Sequence, residues 1–384
     1  MSAVPPLGDV RVLEFLGLGP GPFAGMLLAD LGADVLAVTR PRTARPALAE
    51  NRPVVELDVK SAEGRQEALR LAERCDVLIE GFRPGVMERL GLGPEKVRKV
   101  NPRLVYTRMT GWGQHGPLAP TAGHDINYIA ITGALHHAAR QGEVPTPTAN
   151  LLGDFGAGGM YLVMSVLAAL HERARTGAGQ VLDIAIVDGT TYLTAMLHEY
   201  RSRGTWSDVA GTNRLDTGAP YYDVYRCADG GHVAIGALEA PFFAALVELL
   251  DLDPAWTDTR EDPRVWPELR REIERAVRRR TRDEWAAAAE KTDACLSPVL
   301  NLAEAAGHPH LRARHALVPA PDGRTGWRPT LGGRRFAGAP SASSVEDTLA
   351  RWRADEPGAV RRSDGPCGPD RVDTRNLRCG SEER

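Results

Sequence analysis

The chain has 384 residues, 43% of them apolar and 25% charged, which is the balance of a folded globular protein with room for two or three domains. Its 47 Lys and Arg nearly cancel its 50 Asp and Glu, leaving a formal charge of −3. That balance excludes a generally basic nucleic-acid binder and a polyacidic solvating protein.

The first 110 residues alternate strand and helix patterns. Val10 to Phe15 reads as a strand, followed by the turn Gly17-Leu18-Gly19-Pro20-Gly21-Pro22 and a helix from Phe23 to Leu31 stopped by Gly32. Further strands are expected at Asp34 to Val38, Val54 to Leu57, Asp76 to Ile79 and Leu104 to Thr107, with Ser61 capping a helix that reaches Glu73. Strands separated by helices of this kind predict βαβ units and a mainly parallel sheet. A long small-residue helix is expected over Asp154 to Arg173, then a strand over Gln180 to Val187. Val209 to Tyr222, rich in Gly, Asn, Thr and Tyr, reads as a linker. A strand pair at Val224 to Cys227 and His232 to Ile235 follows, turned by Asp229-Gly230-Gly231, with helices near Pro241 to Leu250 and Pro267 to Arg280. After Pro340 the composition becomes rich in Arg, Asp, Ser and Pro, and little order is expected beyond Asp355.

No apolar run approaches the ~20 residues that span a bilayer, and the first residues lack a basic segment before an apolar one, so neither a membrane span nor a secretion signal is expected. Cys75, Cys227, Cys295, Cys367 and Cys379 are odd in number and never in a Cys-x-x-Cys pair, which predicts neither a disulfide framework nor a zinc site. His136-His137 and His308-Pro309-His310 lack a nearby carboxylate cluster, so no metal is expected. The expected setting is cytoplasmic.

Four places carry candidate chemistry. The Gly17, Gly19, Gly21 turn departs from G-x-G-x-x-G at Pro22, and Arg40 stands where a dinucleotide fold places an acidic ribose ligand; a plain tight turn with a surface arginine and a site for a phosphate-bearing ligand both fit. His124 and Asp125 sit in a Gly-flanked loop before an apolar helical run; a capping histidine and a catalytic one both fit. Asp154, at the head of a glycine-rich helix, reads either as an N-cap or as a group beside a closely approaching ligand. Glu239 follows a strand in the second half, where a solvated role is the ordinary one. The arginines at 278–280 and Arg282 read as a solvated helix face.

Longer stretches then resemble a known family. "RVLEFLGLGPGPFAGMLLADLGADV", "DVLIEGFRPGVMERLGLGP", "RLVYTRMTGWGQHGP", "GHDINYIAITGAL", "NLLGDFGAGGMYLV", "DIAIVDG" and "GAPYYDVYRCADGGHVAIGALEAPFF" run in the order of the family III CoA transferases (CaiB/BaiF type) over about 1–340. "GHDINY" points within them to the α-methylacyl-CoA racemase branch.

The resemblance implies an α/β fold, a Rossmann-like large domain plus a small α+β domain in an interlocked homodimer with shared active sites. The corresponding division is 1–187 and 306–355 for the large domain and its return, 188–222 as linker, 223–305 as small domain and 356–384 as a disordered tail. It implies His124 and Asp154 as the acid/base pair, Glu239 as the small-domain carboxylate supporting the histidine, and Asp125 and Gly153 as structural support. Arg40, Arg83 and Arg89 are the implied CoA-binding cations. The implied substrate is an acyl-CoA thioester, with no cofactor beyond its own CoA and no nucleic-acid or membrane partner.

The chemistry suits these residue types. An α-proton beside a thioester is weakly acidic, so its removal needs a positioned base and an enolate stabiliser, and racemisation needs a base on each face. Backbone N–H groups at the Asp154 helix start are the expected enolate hole. Transfer of CoA between carboxylates, with Asp154 as nucleophile forming an acyl anhydride, is the alternative activity, and a biosynthetic homologue with another acyl substrate is a third.

Overall fold

The structure, a computed structural model, describes residues 5–44, 47–319, 327–330 and 344–354. The tail expected beyond Asp355, with Cys367 and Cys379, lies outside the described residues.

Along the chain come β1 (Arg11–Phe15), α1 (Pro20–Asp30), β2 (Asp34–Thr39), β3 (Val54–Glu56), α2 (Ala62–Ala72), β4 (Val77–Glu80), α3 (Val86–Arg89), α4 (Pro94–Val100) and β5 (Val105–Thr110). Next are α5 (Asp125–Ile131), a π-helical segment (Leu151–Met160) running directly into α6 (Tyr161–Thr176), β6 (Val181–Ala185), α7 (Ile186–Leu193) and α8 (Ala195–Ser202). The six strands form one sheet in the order β3-β2-β1-β4-β5-β6, every neighbouring pair parallel.

Alternation along these strands explains the layers. Val12, Val35, Val77 and Val105 face α1 and α6, packing with Leu28, Leu162 and Val166. Their chain neighbours Leu13, Leu36, Leu78 and Tyr106 face the other way, against Leu71 of α2 and Val97 of α4. Both faces are covered, which is why the strands read as nearly continuous apolar runs. Ser61 caps α2, its hydroxyl accepting from the Gly64 N–H at 2.9 Å.

The second half builds a separate core. β7 (Tyr222–Arg226), β8 (His232–Gly236), α9 (Ala240–Leu250), α10 (Trp256–Thr259), α11 (Trp266–Val277), α12 (Arg282–Ala289) and β9 (Leu296–Pro298) follow. The antiparallel sheet β7-β8-β9 packs on helices through Val233, Ile235, Phe243, Ile273 and the fully buried Trp285. After α13 (Leu302–Gly307), α14 (Pro309–Ala313) and the antiparallel pair β10 (Leu317–Pro319) and β11 (Trp327–Pro329), α15 (Val345–Ala354) returns to the large sheet. There Leu349 and Trp352 are buried with Leu71 and Leu36, and Asp34 accepts from Arg351 and from Trp352 Nε1 at 2.9 Å.

Several expectations are corrected. The strand expected to Val187 ends at Ala185, and α7 starts at Ile186; the Val187 N–H bonds the Gly111 carbonyl instead. The 188–222 stretch is helical in its first part, through α7 and α8. β9 and α12 were not legible, although Thr281 and Glu284 form a capping box at α12. The 278–282 arginines are not simply solvated: Arg280 lies 4.6 Å over the Trp285 ring and Arg282 is paired with Glu304. Finally, the continuous helical stretch Leu151–Thr176 has 26 residues and contains an 18-residue window of mean hydropathy 1.5, so by length and composition it is long and apolar enough to cross a bilayer. In this fold Leu162, Val163, Val166 and Ala169 of that stretch are core residues against the sheet.

Candidate active site

The strand order 3-2-1-4-5-6 reverses direction between β1 and β4, and loops leaving the carboxyl ends of those strands diverge there. A cavity of about 880 Å³ opens at this point. It is walled by the loop after β1 (Gly17, Gly19), the end of β2 (Thr39, Arg40), the loop after β4 (Gly81, Phe82, Arg83) and the end of β5 (Thr110). His124, Tyr128 and Asp154 complete the wall on the side of α5 and the π-helical segment.

Asp154 is not an N-cap: it is the fourth residue of the π-helical segment. Its Oδ2 accepts from Asn150 Nδ2 at 3.1 Å, and its own N–H donates to Asp125 Oδ1 at 2.7 Å. That N–H is therefore engaged by Asp125 and is not among the backbone donors left for an enolate. Burial pushes the Asp154 carboxyl above the ordinary aspartate range; the Asn150 bond opposes this, the Asp125 charge adds to it and His124 opposes it.

The glycines also have a different reason from the one expected. A side chain at Gly153 would stand 2.4 Å from Asp125 Oδ1, and one at Gly159 would stand 2.5 Å from the Phe23 ring. They permit helix-on-helix approach and the Asp125–Asp154 contact rather than approach to a ligand. Gly19 does face the site: with φ +65°, its position places any Cβ 2.9 Å from Asp154 Oδ2.

His124 occupies the N-cap position of α5, and its backbone N–H donates to Asn127 Oδ1 at 3.0 Å. Its ring is exposed at the cavity, while the neighbouring Asp125 is buried, with Oδ2 lacking a hydrogen-bond partner. One turn on, Tyr128 donates to the Gly123 carbonyl at 2.5 Å and meets Trp112 edge-on at 4.7 Å. These bonds fix the loop that carries His124.

Of the expected residues, the fold thus brings His124, Asp154, Arg40 and Arg83 to one cavity, with Asp125 and Gly153 directly behind them. Arg89 is exposed at the end of α3 and does not line it. Glu239 lies elsewhere, exposed at the N-cap of α9 in the second core. Sequence reasoning missed Lys60, Asn150, Tyr128 and Trp112. Lys60 lines the cavity with Arg40 and Arg83, and its signal was its rarity: one of four lysines in an arginine-biased chain. Asn150 and Tyr128 each lie four residues from an expected catalytic residue, a spacing that brings side chains together on a helix.

Comparison with known proteins places this architecture. The chain is 43% identical over 313 residues to α-methylacyl-CoA racemase of Mus musculus, covering 81% of this chain and 82% of that one. It is 40% identical over 325 residues to α-methylacyl-CoA racemase of Homo sapiens, covering 84% and 85% respectively. Among solved structures, Rv3272 of Mycobacterium tuberculosis superposes with a TM-score of 0.72 at 27% identity, over 90% of this chain and 98% of that one. The family model of CoA-transferase family III matches residues 7–357, and the chain belongs to that family.

Proposed function

We propose that the protein is an α-methylacyl-CoA racemase, exchanging the configuration at the α-carbon of 2-methyl-branched acyl-CoA thioesters through an enolate. The observation that carries this reading is the convergence of His124 and Asp154 on one cavity that also holds Arg40, Lys60 and Arg83. Identity of 40–43% to proteins named for that activity supports it. The cations suit the phosphates of CoA, which enters as part of the substrate, with no separate cofactor. His124 and Asp154 act as the two bases, one removing the α-proton while the other, as its conjugate acid, returns a proton to the opposite face. The raised Asp154 carboxyl suits this exchange, because it holds a proton more readily than an ordinary aspartate does. Asp125 positions Asp154 through its backbone.

The proposal includes a homodimer in which Glu239 of a second copy supports His124, since Glu239 stands outside its own chain's cavity. Exposed apolar side chains on adjoining helices support an interface: Met160, Met164, Tyr192, Leu193 and Met196. The remaining elements are a cytoplasmic location and a part in branched-chain lipid metabolism.

Incubation of a single enantiomer of a 2-methylacyl-CoA, followed by chiral analysis, tests the reading. Formation of the opposite enantiomer without any acceptor acid is the expected result. CoA transfer that requires an acceptor carboxylate, with hydroxylamine trapping an Asp154 anhydride and no epimerisation, establishes the transferase instead.

A further inference from the structure

Behind the loop that carries Arg83 lies a group of charges not needed for the chemistry. Glu80, the last residue of β4, is fully buried. Its partner in register on β5 is Arg108, itself 9% exposed, whose Nε donates to Glu80 Oε1 at 3.1 Å. The other carboxylate oxygen, Oε2, accepts the Phe82 N–H at 2.8 Å. Arg108 continues to α3, where Nη1 stands 2.8 Å and Nη2 3.2 Å from the two oxygens of Glu88. Three charges therefore join a strand end, the loop that follows it and the next helix. Gly81, Phe82, Arg83, Pro84, Val86 and Leu90 of that loop and helix line the cavity.

Burying such a set is costly, and apolar residues of similar volume would commonly hold two paired strand ends equally well. What apolar residues lack is the directed bond to the Phe82 N–H and the fork to Glu88, which fix the loop rather than the core. We infer that Glu80 is a positioning residue for substrate binding: with Arg108 and Glu88 it clamps the loop at 81–85 and α3 so that Arg83 stands in the cavity wall. The inference rests on the reading of this cavity as an acyl-CoA site and names a residue that acts on the substrate through another.

The clamp has a pH consequence. Burial pushes the Glu80 carboxyl up to about 7, against the Phe82 N–H and Arg108, which pull it down, and with Glu88, which adds to the rise. The groups facing it are Arg108 and Tyr106 from β5 and Glu88 from α3. Above that pH the carboxylate is ionised and holds Arg108 fully; as pH falls through it, the charge is lost and the loop is released. Affinity for CoA therefore falls on acidification.

The test is calorimetric titration of the full-length protein with free CoA at pH 6 and pH 8, for the wild type, Glu80→Gln and Glu88→Gln, with steady-state kinetics alongside. Glu80→Gln is expected to weaken CoA binding at pH 8 by ~10-fold, and to raise KM with kcat changed less than ~3-fold, the signature of lost binding rather than lost chemistry. The phosphate of CoA itself titrates near pH ~6, so the decisive quantity is the difference between proteins: the wild type loses more affinity between pH 8 and pH 6 than Glu80→Gln does. Glu88→Gln, at a half-exposed position, keeps the buried pair and is expected to weaken binding in the same direction by a smaller factor. Should Glu80→Gln fail to fold, that variant and the wild-type pH profile decide. Wild-type affinity and an unchanged pH profile in the variants overturn the inference, as does a fall in kcat with KM unchanged. Failure of the wild type to bind CoA at either pH refutes the acyl-CoA reading, and the inference with it.

Discussion

Replacing Gly19 by alanine tests how the loop after β1 serves Asp154. Two effects add. An L-residue held at φ +65°, ψ −115° carries backbone strain of ~1–3 kcal/mol. The new Cβ, 2.9 Å from Asp154 Oδ2, also forces the carboxylate away from Asn150, and a hydrogen bond to a charged group is worth ~1.5–3 kcal/mol. The half-buried site screens part of the second term, so a total destabilisation of ~2–4 kcal/mol is expected. A carboxylate misplaced by a fraction of an ångström to ~1 Å costs up to ~100-fold in rate. Urea unfolding and epimerisation kinetics measure the two effects separately. Gly21→Ala is the control: Gly21 has no positive φ, nothing lies within 4 Å of its Cβ position, and alanine favours the helix it starts. Equal behaviour of the two variants, or wild-type rate and stability in Gly19→Ala, would show that the Gly19 backbone does not hold Asp154 in place.

Three further outcomes follow from the same geometry. Trp352→Ala is expected to cost ~3–5 kcal/mol in urea unfolding, because its fully buried indole closes one face of the large sheet and donates to Asp34; a loss below ~1 kcal/mol would show that α15 is not part of that core. Tyr128→Phe keeps the Trp112 contact but loses the bond to the Gly123 carbonyl, so ~1 kcal/mol of stability and a several-fold drop in kcat are expected, read by thermal melts and kinetics. For Asp154 the sign runs through the proton count: the folded state binds the proton more tightly than the unfolded chain, so this group's contribution falls as pH rises above the ordinary aspartate value of 3.8. Asp154→Asn is thus expected to be more stable than the wild type at pH 7 while losing epimerisation, and lower stability in urea would contradict the raised carboxyl.

Much of the large domain was legible because its strands are buried on both faces and punctuated by glycine, proline and Ser61. What was lost was lost for physical reasons. The π-helical segment has the same glycine-rich composition as a capped α-helix, and only the packing of Gly159 against Phe23 and of Gly153 against Asp125 distinguishes them. β9 is three residues long and exists by pairing with β8 across more than sixty residues of chain, a tertiary effect invisible to local pattern. His124 and Asp154 were legible as a pair only through the family resemblance; their local patterns suited capping equally well. Lys60 and the Glu80–Arg108–Glu88 group are positional: ordinary charged residues until the sheet register brings them together.

In the proposed mechanism His124 and Asp154 are the two bases of one epimerisation. This assignment is tested most directly by α-deuterium incorporation from D₂O into a 2-methylacyl-CoA, comparing the wild type with His124→Ala and Asp154→Ala. Deuterium at the α-carbon and loss of configuration are expected with the wild type, and no epimerisation with either variant. Undiminished exchange and epimerisation in either variant would contradict the assignment.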